Sequence, residues 1–159
     1  MKKNSLQKAI NGAFRYALYK EHEFIGVEHL LLALLNDCEV ALFLSEQGVS
    51  LGVIHRDLVD CVKRHTPVLR AQPAEKYTEQ RRTRPTQGFE RVLQRASFLA
   101  ECAGKHDVPT PYALLAIFAE HDSFALYVLE TYGIKRGDVA DYIEHRSYSA
   151  GYRIAQRAS

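Results

Sequence analysis

The chain reads as an all-α fold: a pseudo-two-fold duplication of a four-helix repeat, about eight helices in all. Two observations predict it. Residues 13–58 and 97–143 share a pattern at an offset of 84 that steps to 85 near the end. Glu28-His29-Leu30-Leu31-Leu32-Ala33-Leu34 lies over Tyr112-Ala113-Leu114-Leu115-Ala116-Ile117-Phe118, Phe14 over Phe98, His22-Glu23 over His106-Asp107, Ala41-Leu42-Phe43 over Ala125-Leu126-Tyr127, and Gly48-Val49 over Gly133-Ile134. Apolar residues also recur at helical spacing, and no stretch alternates apolar and polar residues, so no strands are predicted. Two copies are too few for an open solenoid, which leaves a closed pair sharing one core.

Helix one covers 5–20, with Leu6, Ile10, Ala13, Phe14 and Ala17 on one stripe and Asn4 and Gln7 placed to cap it. After a loop at 21–26, helix two covers 27–36 and buries Val27, Leu30, Leu31, Leu34 and Leu35. Glu28 in its first turn suits the helix dipole. Helix three covers 39–47 and stops at Gly48, where a left-handed residue is needed. Ser50 caps helix four, whose stripe is Leu51, Ile54, Leu58, Cys61 and Val62. This first repeat spans 5–66.

Pro67, Pro73 and Pro85 mark 67–86 as a long connection, with an exposed basic cluster at Arg81, Arg82 and Arg84. The second repeat spans 87–146. Thr86 caps helix five, with Phe89, Val92, Leu93, Ala96 and Ala100 inward. Thr110-Pro111 reads as a cap followed by proline at the first helical position. Helix seven ends at Gly133, and helix eight, 136–145, turns Val139, Tyr142 and Ile143 inward. Residues 1–146 thus make one domain, and 147–159 read as a flexible tail.

Composition narrows the function. A chain of 159 residues, 47% hydrophobic and 25% charged, is globular and long enough for a sizeable core. Lys and Arg number 21 against 19 Asp and Glu, a net charge of +2. That is too small to imply nucleic acid, and no apolar run reaches membrane-spanning length. Cys38, Cys61 and Cys102 are odd in number and widely spaced, which disfavours a disulfide framework and suits a reducing cytoplasm. There is no phosphate-binding glycine loop, no nucleophile elbow and no H-E-x-x-H, so no catalytic residue is assigned.

Three groups of side chains carry chemistry. Cys61/His65 and Cys102/His106 each place a thiol and an imidazole on one helix face, half a zinc site apiece, but Cys61 and Cys102 fall on apolar stripe positions or their edges, and the stronger reading makes them small buried hydrophobes. Glu23 and Glu28 flank the loop into helix two. They read either as an acidic docking spot for a basic partner or as a solvated loop charge and a first-turn acid. Arg91 and Arg95 share the polar face of helix five, a phosphate contact or a solvated face. The tyrosines Tyr16, Tyr19, Tyr112, Tyr127, Tyr132 and Tyr142 sit at helical spacing, which assigns them to the core or its edge.

The repeat also carries a resemblance. His22 to Leu35, reading HEFIGVEHLLLALL, resembles the signature of the double Clp repeat, the N-terminal domain of Clp/Hsp100 unfoldases. His65-Thr66-Pro67-Val68-Leu69 and Phe89-Glu90-Arg91-Val92-Leu93-Gln94-Arg95-Ala96 resemble its ClpA branch, and the likeness covers about 5–146. The resemblance implies a non-catalytic module that docks the small adaptor ClpS and recruits substrate proteins. Unfolding by a hexameric ATPase using ATP and Mg, and degradation by ClpP, belong to modules this chain lacks. It also implies adaptor contacts at Glu23 and Glu28, with Thr86 and Arg91 near the same interface. A stand-alone holdase that binds exposed apolar segments is the alternative.

Overall fold

Two short helices that are apolar nearly all round form the spine of the molecule, and the longer amphipathic helices pack around them. The computed structural model describes residues 5–71 and 82–146. Eight α-helices appear among these: α1 (Ser5–Tyr19), α2 (Val27–Leu34), α3 (Cys38–Glu46), α4 (Leu51–His65), α5 (Gln87–Cys102), α6 (Thr110–Ile117), α7 (Phe124–Thr131) and α8 (136–146). A helix with no polar stripe has no face to give to solvent. Every residue of α6 is buried, as are six of the eight in α2. α2 touches α1, α4, α5, α6 and α7, so both repeats share one continuous core.

The duplication is confirmed in helix order, with a different register. In α1 the buried residues are Leu6, Ala9, Ala13 and Ala17, and in α5 they are Phe89, Val92, Ala96 and Ala100, an offset of 83. Glu21 and Gly104, both with positive φ, end these helices at the same offset. From the third helix onward the offset is 85: Val40, Phe43 and Leu44 are buried like Ala125, Val128 and Leu129, and Leu42 is exposed like Tyr127. Leucine-rich runs match themselves when slid by one residue, so letters alone misplace the step. The second repeat therefore carries two extra residues between its second and third helices, in the stretch that holds Glu120 and Asp122.

Helix ends obey local chemistry. Asp37 caps α3 by accepting from the backbone N–H groups of Glu39 and Val40, and Thr86 caps α5 by accepting from Phe89. Thr110 is not the cap of α6. It lies within the helix, and its hydroxyl donates to Asp37 Oδ2 at 2.6 Å, joining the two repeats. Ser50 stands at the cap position of α4 without a side-chain cap bond, and Asn4 lies outside the described residues. Gly48 and Gly133 adopt φ of 78° and 81°, the left-handed termination that side chains resist. Alanine at either position is expected to cost about 1 kcal/mol by chemical denaturation, since backbone strain is the only penalty where the added carbon meets nothing within 4 Å.

Strands do occur, against expectation. Phe24–Ile25 (β1) pairs in parallel with Arg84–Pro85 (β2), and His22 bridges Val68. Two residues are too few to show alternation in sequence. The pairing clips both ends of the 67–86 connection to the loop before α2: Glu23 N–H donates to Pro67 O at 2.8 Å, Leu69 N–H to Glu21 O at 2.8 Å, and Arg84 N–H to Glu23 O at 3.0 Å. Residues 72–81 and 147–159, including the expected tail and Arg81, lie outside the described residues.

Candidate functional site

The ladder between β1 and β2 brings the start of α2 beside the start of α5. Between them and the 119–123 stretch lies a recess of about 450 Å³, lined among others by Gly26, Glu28, Thr86, Gly88, Arg91 and Glu120. Three of the four residues expected at the adaptor interface, Glu28, Thr86 and Arg91, thus meet in one concavity although 58 to 63 residues separate Glu28 from the other two. Glu23 is not part of the lining. It is 9% exposed and its backbone is held in the ladder, so the solvated loop charge is corrected: the clip buries it.

Glu28 is the unusual acid. Burial pushes its carboxyl up from the ordinary carboxylate range, against the backbone N–H groups of Ala125 and of Glu28 itself and the charge of His65, which favour ionisation. Its Oε2 is buried and is the one such side-chain atom without a hydrogen-bond partner among the described residues. An acceptor in that state lacks the stabilisation that a donor would supply. Burial, and then the charge of this same acid, raises the Cys61 thiol to about 11, so Cys61 is a protonated core residue.

Across the recess, Arg91 and Arg95 are not simply solvated. Arg91 grips Glu120 with Nε at 3.2 and 3.3 Å from the two carboxylate oxygens and Nη2 at 2.8 Å from Oε1. Arg95 Nη1 donates to Glu120 Oε2 at 3.3 Å and to the Ala116 carbonyl at 3.2 Å. The Arg91 hydrogen bond holds the Glu120 carboxyl below the usual range, opposed by burial and assisted by Arg95. Glu120 is 7% exposed while Arg91 is 54% exposed, so the acid orients the arginine and leaves it within a partner's reach. Gly88 makes room for this arrangement: a Cβ there would stand 3.1 Å from Glu120 Oε1 and 3.3 Å from Val27 Cγ2. The lining holds Glu28, Glu120 and Asp122 against Arg91 and Arg95, one net negative charge.

Several sequence expectations fall elsewhere. Cys61 is buried, but Cys102 is exposed rather than part of the stripe. No group of three or more His, Cys, Asp or Glu residues able to hold a metal occurs among the described residues, so Cys61/His65 and Cys102/His106 do not converge into a site there. Tyr19 and Tyr127, 81% and 63% exposed, are not core residues.

Sequence reading missed Glu120, and it missed a buried histidine pair. His22 Nδ1 lies 2.9 Å from His29 Nε2, and His29 Nδ1 accepts from the Gly26 N–H at 3.0 Å. The Gly26 bond leaves His29 Nε2 as the protonated nitrogen, donating to His22. The signal available was only a His seven residues before another His, on either side of a loop.

Fold and helix order together define a repeat-built, all-helical domain of the Clp type. The family model of the Clp repeat (R) N-terminal domain matches residues 3–132, and the chain belongs to that family. A ClpA homolog protein of Fuscovulum blasticum is 32% identical over 142 residues, which is 89% of this chain and 17% of that relative, so the chain spans about a sixth of its length. Among solved structures, the Hsp104 N-terminal domain from Candida albicans superimposes with a TM-score of 0.67 at 16% identity, over 84% of this chain and 82% of that one. The ClpV N-domain, solved in complex with VipB peptide, gives 0.60 at 19% identity over 85% and 84%. The N-terminal domain of Clp ATPases is a non-catalytic module. No helix among the described residues is long and apolar enough to cross a membrane.

Proposed function

We propose that this chain is the docking domain of a ClpA-type unfoldase subunit, binding a ClpS-type adaptor and helping to recruit substrate proteins for degradation by ClpP. ATP and Mg are then used by ATPase modules elsewhere in the parent protein, in the cytoplasm. The observation that carries the reading is the meeting of Glu28, Thr86 and Arg91 in one recess. A basic side chain of the adaptor donates to Glu28, and Arg91, oriented by Glu120, takes an acceptor beside it. The Thr86 hydroxyl, already an acceptor for the α5 cap, has a hydrogen to donate. Glu23 contributes negative potential from beneath the surface. The likeness to a ClpA homolog supports the adaptor class.

The test is calorimetric titration of a ClpS-type adaptor into the chain and into Glu28→Gln. The substitution keeps size and removes the charge, and loss of a buried charged contact is expected to weaken binding about 30-fold, roughly 2 kcal/mol. The helical spectrum is expected to stay unchanged. Equal affinity for both proteins would remove Glu28 from the interface. A second reading, a holdase for exposed apolar segments, draws on the peptide-bound ClpV N-domain. Suppression of aggregation of a denatured substrate without any adaptor is its measure, and no effect at molar excess would dismiss it.

A further inference from the structure

The 119–123 wall of the recess runs directly into α7, and this part of the chain has no cation of its own. No Lys or Arg occurs between Lys105 and Lys135, whereas Glu120, Asp122 and Glu130 all fall there. Glu120 is neutralised from outside the stretch, by Arg91 and Arg95 of α5. Asp122, an exposed member of the lining, makes no ion pair among the described residues. With both arginines committed to Glu120, the acids left to face a partner are Glu28 and Asp122.

The first turn of α7 sets an apolar face beside these acids. The Ala125 N–H donates to Glu28, and the cap residue Ser123 lines the recess, so the start of the helix abuts it. Tyr127 follows Ser123 by four residues and stands one turn further along the same side. Phe124 shares that face with Tyr127, and their rings lie 5.4 Å apart at 36°. Phe124 rests partly on the core, while Tyr127 is left largely in solvent. Tyr19 has Lys20 over its ring and Phe24 has Arg84, but no cation covers Phe124 or Tyr127 among the described residues. At the offset of 85, Phe124 occupies the place of Glu39 in the first repeat, an acid that suits the first turn of a helix. The helix dipole gives an aromatic ring no such advantage, so helix stability does not account for Phe124.

We propose, on the adaptor reading of the recess, that Phe124 and Tyr127 are its specificity-determining apolar half: they take an aliphatic or aromatic side chain that stands beside the basic one on the adaptor. Charge alone draws many basic surfaces toward Glu28 and Asp122, and salt weakens that attraction. The two rings add a preference that charge does not supply. A basic surface lacking the apolar neighbour meets the acids but leaves the rings in water.

The experiment titrates a ClpS-type adaptor calorimetrically, at two temperatures, into the chain and into Phe124→Ser/Tyr127→Ser, Tyr127→Ser, Tyr127→Phe and Glu28→Gln. The double variant is expected to bind about tenfold more weakly, with a less negative heat-capacity change, because burial of apolar surface sets that quantity. Tyr127→Ser alters only an exposed side chain, so it reads the contact even if the double variant fails to fold, and it is expected to lose about threefold. Tyr127→Phe is expected to keep the affinity of the unaltered chain, and Glu28→Gln to weaken binding while keeping its heat-capacity change. Unchanged affinity in both serine variants beside a weakened Glu28→Gln overturns the apolar half and leaves the adaptor reading standing. A loss in Tyr127→Phe as large as in Tyr127→Ser also overturns it, by assigning the contact to the hydroxyl. Failure of the unaltered chain to bind the adaptor overturns both.

Discussion

Replacing Leu30 by alanine is expected to lower stability by about 3–5 kcal/mol, because a fully buried leucine on a rigid, surrounded helix leaves a cavity that its neighbours cannot close. Leu30 belongs to α2, which contacts helices of both repeats. The loss is therefore not confined to the first repeat. Urea unfolding followed by circular dichroism is expected to move to lower midpoint as one transition with unchanged slope. Leu114→Ala, in the equivalent helix α6, is expected to do the same. Two separable transitions, or a shift below about 1 kcal/mol, would mean that the repeats are stable units merely resting on one another.

Stability is expected to decline between pH 6.5 and about 4 through the histidine pair. Burial, and then the neighbouring His22, lowers His29 from 6.5 to about 4, and burial followed by Lys20 lowers His22. Both rings are neutral in the folded protein at a pH where the unfolded chain binds protons. The unfolded state thus takes up more protons in this window, and stability is full above pH 6.5 and falls as pH drops through it. For His29 alone the change approaches about 3 kcal/mol. Protonation also removes the Nδ1 lone pair that accepts the Gly26 N–H and places two cations 2.9 Å apart, so the loop entering α2 is released first. His29→Gln is expected to flatten this part of the profile in thermal melts between about pH 7 and pH 4. A wild-type profile that is already flat there would contradict the neutral pair.

Much of the fold is legible in the sequence because its signals are local. The stripes of α1, α4 and α5, the stops at Gly48 and Gly133 and the cap at Thr86 each arise from residues within a few positions of one another. The repeat is legible in kind but not in register: Ala13 and Ala17 match Ala96 and Ala100 only once burial is known. The clip between β1 and β2 is not legible, because two-residue strands leave no pattern and its partners are about 60 residues apart. Distance in sequence also hides the partnership of Arg91 and Arg95 with Glu120, and a repeat step placed by letters alone absorbs the inserted residues around Glu120. Glu28 is visible as a first-turn acid, but its hydrogen bond from the Ala125 N–H of α7 joins residues about 100 positions apart. The family resemblance singles out Glu23, Glu28, Thr86 and Arg91; the parallel clip supplies the physical reason the last three meet, and the same clip buries Glu23 away from them.

Contact with a basic-faced adaptor at the recess between α2, α5 and the 119–123 stretch is tested most directly by amide hydrogen exchange of the chain with and without a ClpS-type adaptor. New protection is expected at residues 26–28, 86–91 and 119–123. Protection confined to other segments, or none at saturating adaptor, would contradict docking at the recess.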